Sequence, residues 1–196
     1  MPATPGVIRV SFGSVSAVGI NRSPWTFQTQ VQEHPGQSWT AEITLPIMER
    51  PAAEEWIAFL LSLNGQTGTF LLGDPAGAEP RGVAVGTPKI NGSHAAQGRT
   101  LTTDGWQIST TGILVKGDYI QLGNRLYKIL EDANSDGSGN ATLEIWPGLR
   151  ETVADNETIL TTGCKGLFRL GTNIVPLFNV DDAKLYNVSF GAVEAI

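Results

Sequence analysis

The residues of this chain best suited to chemistry stand in Asp132-Ala133-Asn134-Ser135-Asp136-Gly137. Carboxylate and amide oxygens at alternate positions, followed by a glycine that permits a sharp bend, are what the start of a calcium loop requires. The twelfth position of such a loop should supply a bidentate acid; here it is Leu143, and Glu144 comes one place late. The flanks read as strands, and Asp, Asn, Ser and Gly in series are also what a turn between strands needs. The turn is the preferred reading, with a non-EF-hand calcium site as its alternative.

The other candidates stand alone. Asp74, in Gly73-Asp74-Pro75, lies at a strand end, where catalytic acids often sit, but no second acid or histidine stands at a telling spacing. A strand-terminating turn is expected there. The single cysteine, Cys164, is far in sequence from His34 and His94, and only Lys165 could activate it. It reads as inert, and it cannot form an internal disulfide, which is compatible with a reducing compartment. Trp25, Trp39, Trp56, Trp106 and Trp146, with Tyr119 and Tyr127, could form a sugar-stacking platform. Trp39 and Trp56 share apolar faces with Ile43 and Phe59 and read as core; Trp106 and Trp146 remain open between core and binding surface. There is no phosphate loop, no Cys/His metal set and no Ser/His/Asp motif. No catalytic, cofactor-binding or metal-ligating residue is therefore expected, no cofactor is implied, and the chain does not read as an enzyme.

The elements that must position these residues follow from periodicity. Ile8, Val10 and Phe12 alternate with Val7, Arg9 and Ser11. Trp25, Phe27, Thr29 and Val31 alternate with Thr26, Gln28, Gln30 and Gln32, and Trp39, Ala41, Ile43 and Leu45 with Ser38, Thr40, Glu42 and Thr44. Period two predicts strands, and His34-Pro35-Gly36 predicts a turn between the last two. Pro51 opens a helix over about 51–63, with Ala52, Trp56, Phe59, Leu60 and Leu63 as its stripe, Ala53, Glu54 and Glu55 off it, and Asn64-Gly65 as its stop. Thr67–Leu72 is a further strand, ended by Gly73 to Gly77. Composition then shifts to Gly, Thr, Ser and Asn. Tyr119–Leu122 and Arg125–Leu130 flank Gly123-Asn124 as a hairpin, Ala141–Trp146 alternates up to Pro147-Gly148, and Gly166–Leu170 and Leu185–Ala195 follow.

Together these predict a mainly β protein: a split β-barrel with one packed α-helix, formed by residues 1–80 plus 165–196 and interrupted by an inserted small β domain over 81–164. The terminal strand is expected in one sheet with Trp39–Leu45, because its apolar face would otherwise stand bare. Loop-closure cost rises slowly with length, so the two lobes need not depend on each other. The tetrapeptide Val-Ser-Phe-Gly occurs at Val10–Gly13 and again at Val188–Gly191, both ordinary strand ends. The net charge of −6 over 196 residues argues against specific nucleic-acid binding. The start lacks a charged run followed by an apolar core, and the longest apolar run, Trp56–Leu61, is far short of a membrane span, so neither leader nor membrane partner is expected.

In this order the elements resemble the distal tail protein and minor tail protein family of long-tailed, lambda-like bacteriophages. The matching pattern is an early strand ending Phe12-Gly13, the aromatic and Gln-rich Trp25–Gln32, then Trp39–Leu45. A helix carrying Ala53 and Trp56 with Phe59-Leu60 follows, then a strand ending Phe70-Leu71-Leu72 before Pro75. The last piece is Asn187-Val188-Ser189-Phe190-Gly191-Ala192-Val193-Glu194. The resemblance covers roughly the first 75 residues and the last 30. Arg81 to Lys165 has no counterpart in the shortest members, although Gly117-Asp118-Tyr119 followed by Leu126-Tyr127-Lys128 is similar to phage tail proteins too. The resemblance implies a structural role at the tail tip of the virion, after assembly in the host cytoplasm. Six copies would form a ring joining the tail tube protein to the tail-tip hub protein, with DNA and the tape-measure protein passing through the lumen. The insert would face outward as decoration or as a seat for side fibres. The acidic balance suits a conduit that must not grip DNA. Ser14–Ser23 and Pro75–Ala78 are the loops expected to touch neighbouring copies. The alternatives are a tail tube or tail terminator subunit, with Pro75–Ala95 as a stacking loop, or a carbohydrate-binding module built on Trp106 and Trp146.

Overall fold

The computed structural model describes residues 1–2, 6–7, 9–174 and 184–196, and the backbone of 178–180. Ile8, which the sequence places on a face with Val10 and Phe12, lies outside the described residues. In chain order the elements are β1 (Arg9–Arg22), β2 (Thr29–Thr44), α1 (Arg50–Ser62), β3 (Phe70–Leu72), a 3-10 turn (Pro75–Gly77), β4 (Gly86–Ile90), β5 (Thr100–Trp106), β6 (Tyr119–Leu122), β7 (Arg125–Ile129), β8 (Ala141–Trp146), β9 (Ile159–Leu160), β10 (Gly166–Leu170), β11 (Phe178–Val180) and β12 (Tyr186–Glu194). The protein is mainly β with one packed α-helix, as the alternation predicts.

Two six-stranded sheets divide the strands. The first runs β1-β2-β12-β10-β3, with β11 added on β12, and draws on both ends of the chain. The C-terminal strand lies antiparallel to β2 from Ser189↔Thr44 to Val193↔Thr40, in the sheet where the sequence places it. The two Val-Ser-Phe-Gly copies therefore flank β2, with Val10 and Phe190 both opposite Ile43. The second sheet runs β4-β5-β8-β7-β6-β9, and a bridge between Lys89 and Thr158 brings its two ends together into a nearly closed barrel.

Each sheet encloses its own core. Trp39, Ile43, Leu45, Phe168 and Phe190 meet Trp56 and Leu60 of α1 in the first. Ile90, Leu101, Ile120, Tyr127, Leu143 and Ile145 fill the second. Strands β6 and β7 serve both, because successive side chains point to opposite faces. Tyr119 and Leu126 enter the first core while Ile120 and Tyr127 enter the second, and all four residues of β6 are buried.

The helix buries Ala53, Trp56, Ile57 and Leu60, the i, i+3, i+4, i+7 set of a core-facing stripe. Ala53 is thus on the stripe, and the half-buried Ala52 beside it, which corrects the sequence assignment by one position. Asn64 and Gly65 both take positive φ, 50° and 65°, and stop the helix as expected. The chain then folds back on that end, Gly68 N–H donating to Leu63 O at 2.7 Å. The following strand is accordingly only Phe70–Leu72.

The first two strands are longer than their periodicity suggests, and three expectations change. Trp25 and Phe27 lie in the turn between β1 and β2, not in a strand. His34-Pro35-Gly36 lies inside β2 as a bulge: Ser16 faces Gln37, but Val18 faces Glu33, so the extra residues sit on β2. Pro35 is tolerated because β12 pairs only with Thr40–Thr44, which leaves β2 a free edge at the bulge. Ser14–Arg22, expected as a loop, is strand. Pro75–Ala95 holds the 3-10 turn and β4 instead of a bare stacking loop. Strand β5 went unread because Thr103, fully buried, takes a core position in a run of threonines and blurs the alternation.

Candidate functional site

The oxygens of the calcium-like segment are spent on three different loops. Asp132 Oδ1 accepts from Lys116 N at 2.8 Å, and Asn134 Oδ1 accepts from Gly112 N at 2.7 Å. Asp136 Oδ1 accepts from Ser138 N at 2.7 Å and Asn140 N at 2.8 Å, and its Oδ2 from Asn140 Nδ2 at 3.0 Å. These donors hold the Asp136 carboxyl below the ordinary aspartate range, Asn140 contributing most. The geometry is that of a turn in which each acceptor pins a backbone N–H. Among the described residues no three His, Cys, Asp or Glu side chains gather as a ligand set.

The remaining candidates are also structural. Asp74 Oδ1 caps the 3-10 turn by accepting from Ala76 N at 2.9 Å. Cys164 is buried, its thiol directed at Leu160 O (3.3 Å) and Tyr119 O (3.5 Å), and burial pushes it up to about 11. His94 Nε2 lies 2.9 Å from Thr102 Oγ1 on the insert, while His34 sits in the β2 bulge. Trp106 is buried and donates from Nε1 to Thr103 Oγ1 at 2.8 Å. Trp146 stands edge-on to Trp39 with ring centroids 4.4 Å apart. The two rings postulated for sugar stacking thus belong to packing on different cores and form no shared platform.

Two buried acids that sequence reasoning did not single out as functional hold the molecule together. Asp118 accepts from Arg81 N (2.9 Å), Gly82 N (3.0 Å) and Val115 N (2.9 Å), fastening the start of the insert to the β6 approach. Glu194 accepts from Arg150 Nε at 2.9 Å and from Trp39 N at 3.0 Å, with Arg150 pairing to it a second time. Both side chains of that pair are buried, so the charges are held in a fork of hydrogen bonds at the seam between the sheets. Gln37 Oε1 accepts from Gly148 N at 2.9 Å, and Trp39 Nε1 donates to Leu126 O at 3.0 Å, at the same seam. A groove of about 460 Å³ opens beside it, lined by Glu33, His34, Gln97, Arg99 and Ile196 among others.

What the chain does leave exposed is its β1–β2 hairpin beyond the bulge. Every residue from Val15 to Arg22 and from Pro24 to Gly36 is exposed, and Val15, Val18, Ile20, Trp25, Phe27 and Val31 are among them. The turn orders itself: Ser23 Oγ accepts from Trp25 N and Thr26 N, both at 3.3 Å, Phe27 N–H donates to Ser23 O at 3.0 Å, and the Arg22 guanidinium lies 4.7 Å from the centroid of the Phe27 ring. No helix among the described residues is long and apolar enough to cross a membrane. No protein-family model matches the chain, and no curated protein is significantly similar to it.

Proposed function

We propose that this protein is a structural subunit of a phage tail tip, one of six copies in a ring that joins the tail tube to the tail-tip hub. The observation that carries the reading is the open, split sheet with an ordered, apolar hairpin projecting from it. Strands β1 and β3 are its two end strands, and the hairpin continues β1 and β2 beyond the core. Bare strand edges and apolar projections are liabilities in a monomer and assets in a subunit whose neighbours cover them. The order of elements that resembles distal tail proteins supports the same reading. So does the use of Asp132, Asn134, Asp136, Asp74 and Cys164 in turns and packing instead of a shared pocket. The insert, fastened at the seam by Glu194 and Arg150, would face outward as decoration or as a seat for side fibres.

Immunogold labelling of virions tests the proposal. Label confined to the tail tip is the expected result. Label along the whole shaft would identify a tube subunit, label at the head junction a terminator, and unlabelled virions would remove the tail reading altogether.

A further inference from the structure

The groove of about 460 Å³ at the seam is walled by three segments: Glu33–Gln37 of the β2 bulge, Gln97 and Arg99 before β5, and Gly148–Arg150 after β8, with Ile196 added. The walls are fixed to one another. Gln97 N donates to Leu149 O at 2.7 Å, Leu149 N to Gly98 O at 2.9 Å, and Gly148 N to Gln37 Oε1 at 2.9 Å. Gly148 lies so close to the second segment that a Cβ there would meet Gln97 O at 2.9 Å. Gln97 takes φ 69°, a region that favours glycine, so its surroundings hold it in place. Two buried side chains open on this groove with donors unspent. Gln37 is 6% exposed and the Arg150 side chain 8%. Gln37 uses Oε1 on Gly148, and Arg150 uses Nε and Nη2 on Glu194. Among the described residues neither Gln37 Nε2 nor Arg150 Nη1 has an acceptor, yet neither atom is sealed from solvent. A donor on a nearly buried side chain is costly to leave without an acceptor, so the groove is a place for oxygen atoms from outside the chain.

Charge and lining select the ligand. The groove holds two guanidinium groups, Arg99 and Arg150, and two carboxylates, Glu33 and Glu194, paired one to one. A ligand with one negative charge gains a charge-assisted bond from the free edge of Arg150, whereas a doubly charged phosphate sets twice that charge against both carboxylates. His34 and Gln97 are exposed and offer donors and acceptors together, while Pro35, Leu149 and Ile196 are apolar. A groove of this volume takes a whole small molecule and not a lone carboxylate. We propose that the seam groove is a binding site for a sugar acid of the uronate class. Its carboxylate accepts from Gln37 Nε2 and Arg150 Nη1, its hydroxyls meet His34 and Gln97, and its C–H face lies against Leu149 and Ile196. The site does not rest on the tail-ring reading.

The test titrates glucuronate into the full-length, nitrogen-15-labelled protein and follows backbone and side-chain amide resonances by NMR. Saturating shifts at the Gln37 side-chain amide, Gly148 and Gln97 are expected. Glucose, which lacks the carboxylate, should leave these resonances in place, and acetate, which lacks the hydroxyls, should bind about tenfold more weakly or less still. Gln37→Glu keeps the acceptor for Gly148 N and replaces the free donor by an oxygen, so it should weaken glucuronate binding by about tenfold or more. Arg99→Gln leaves Glu33 unpaired beside the ligand and should weaken it by about threefold or more. Thermal unfolding by circular dichroism should confirm that both variants fold; Arg99 is exposed, so its variant decides the matter if Gln37→Glu does not fold. No saturating shift at about 50 mM glucuronate, equal binding of glucose, tighter binding of phosphate, or wild-type affinity in either folded variant would overturn the proposal.

Discussion

At the scale of single residues, Cys164 is packed and Asp136 is engaged in turn hydrogen bonds, and both can be tested directly. Cys164 is buried with its thiol pushed up to about 11, so at pH 8 it is overwhelmingly protonated and shielded. Native protein should react with a thiol reagent only on unfolding, with full reaction appearing in denaturant; rapid labelling of the native state would contradict the assigned packing. Asp136 carries a sign that can be worked out. Its folded carboxyl lies below the ordinary value because Asn140 and Ser138 donate to the ionised form. The stability it contributes is therefore fully present above about pH 4, the unfolded aspartate range, and is lost as pH falls through the lower folded value. Urea midpoints of wild type and Asp136→Ala should differ at neutral pH and converge in acid. A calcium-dependent rise in melting temperature, abolished by Asp136→Ala, would restore the cation reading instead. The sequence reading of Cys164 rests on the distance of His34 and His94, with Lys165 the one neighbour able to activate it; its burial against Leu160 O and Tyr119 O is not visible there. The role of Asp118 was not, since its donors at Arg81 and Gly82 lie more than thirty residues away and no local pattern announces them.

At the scale of elements, alternation is a sound guide where a buried face backs it and misleads where none does. Ala141–Trp146 and Gly166–Leu170 have the bounds that period two gave them, and β12 pairs where its apolar face required. The β1–β2 hairpin was misread because two local signals point the wrong way. His34-Pro35-Gly36 is turn chemistry placed in a bulge, and Trp25 and Phe27 are strand-like residues placed in a turn. Both are consequences of extending a hairpin beyond its core, where no buried face fixes which residue points where. The last residue of β12 holds a buried ion pair at the seam. Glu194 binds the Arg150 guanidinium and the Trp39 N–H while both charged side chains are buried. Removing one partner leaves an uncompensated buried charge, which costs about 3–5 kcal/mol. Arg150→Ala should lower stability by that amount in denaturant unfolding, and the double variant Arg150→Met with Glu194→Leu should recover much of it. A loss under about 1 kcal/mol for Arg150→Ala would show that water reaches the pair and that it works as a surface bridge.

At the scale of the whole molecule, the question is whether the insert is a passenger. Loop-closure arguments alone suggest that residues 81–163 could be replaced by a short Gly/Ser linker without harm to the split sheet. The packing argues the opposite. Tyr119 and Leu126 of the insert are members of the first core, Trp146 stands edge-on to Trp39, and Leu126 O accepts the indole proton of Trp39. Excision would also strip Arg150 from Glu194. The stranded charge costs about 3–5 kcal/mol and each lost aromatic pair about 1 more, against a typical domain stability of about 5–15 kcal/mol. The excised chain should therefore fail to unfold cooperatively. The insert has the better claim to independence, because its nearly closed barrel encloses a core of its own in Ile90, Leu101, Leu143 and Ile145. Expressed alone, residues 81–164 should give a dispersed amide spectrum and a single melting transition, once the face vacated by Trp39 is made polar by Leu126→Thr. A sharp transition near that of the full chain for the excised protein would show that the split sheet stands by itself. Failure of the excised protein together with folding of the insert would mean that the split sheet is completed by its guest. In that case β6 and β7 are shared walls, and the β1–β2 hairpin is anchored to the insert through Trp39, whose indole donates to Leu126 O.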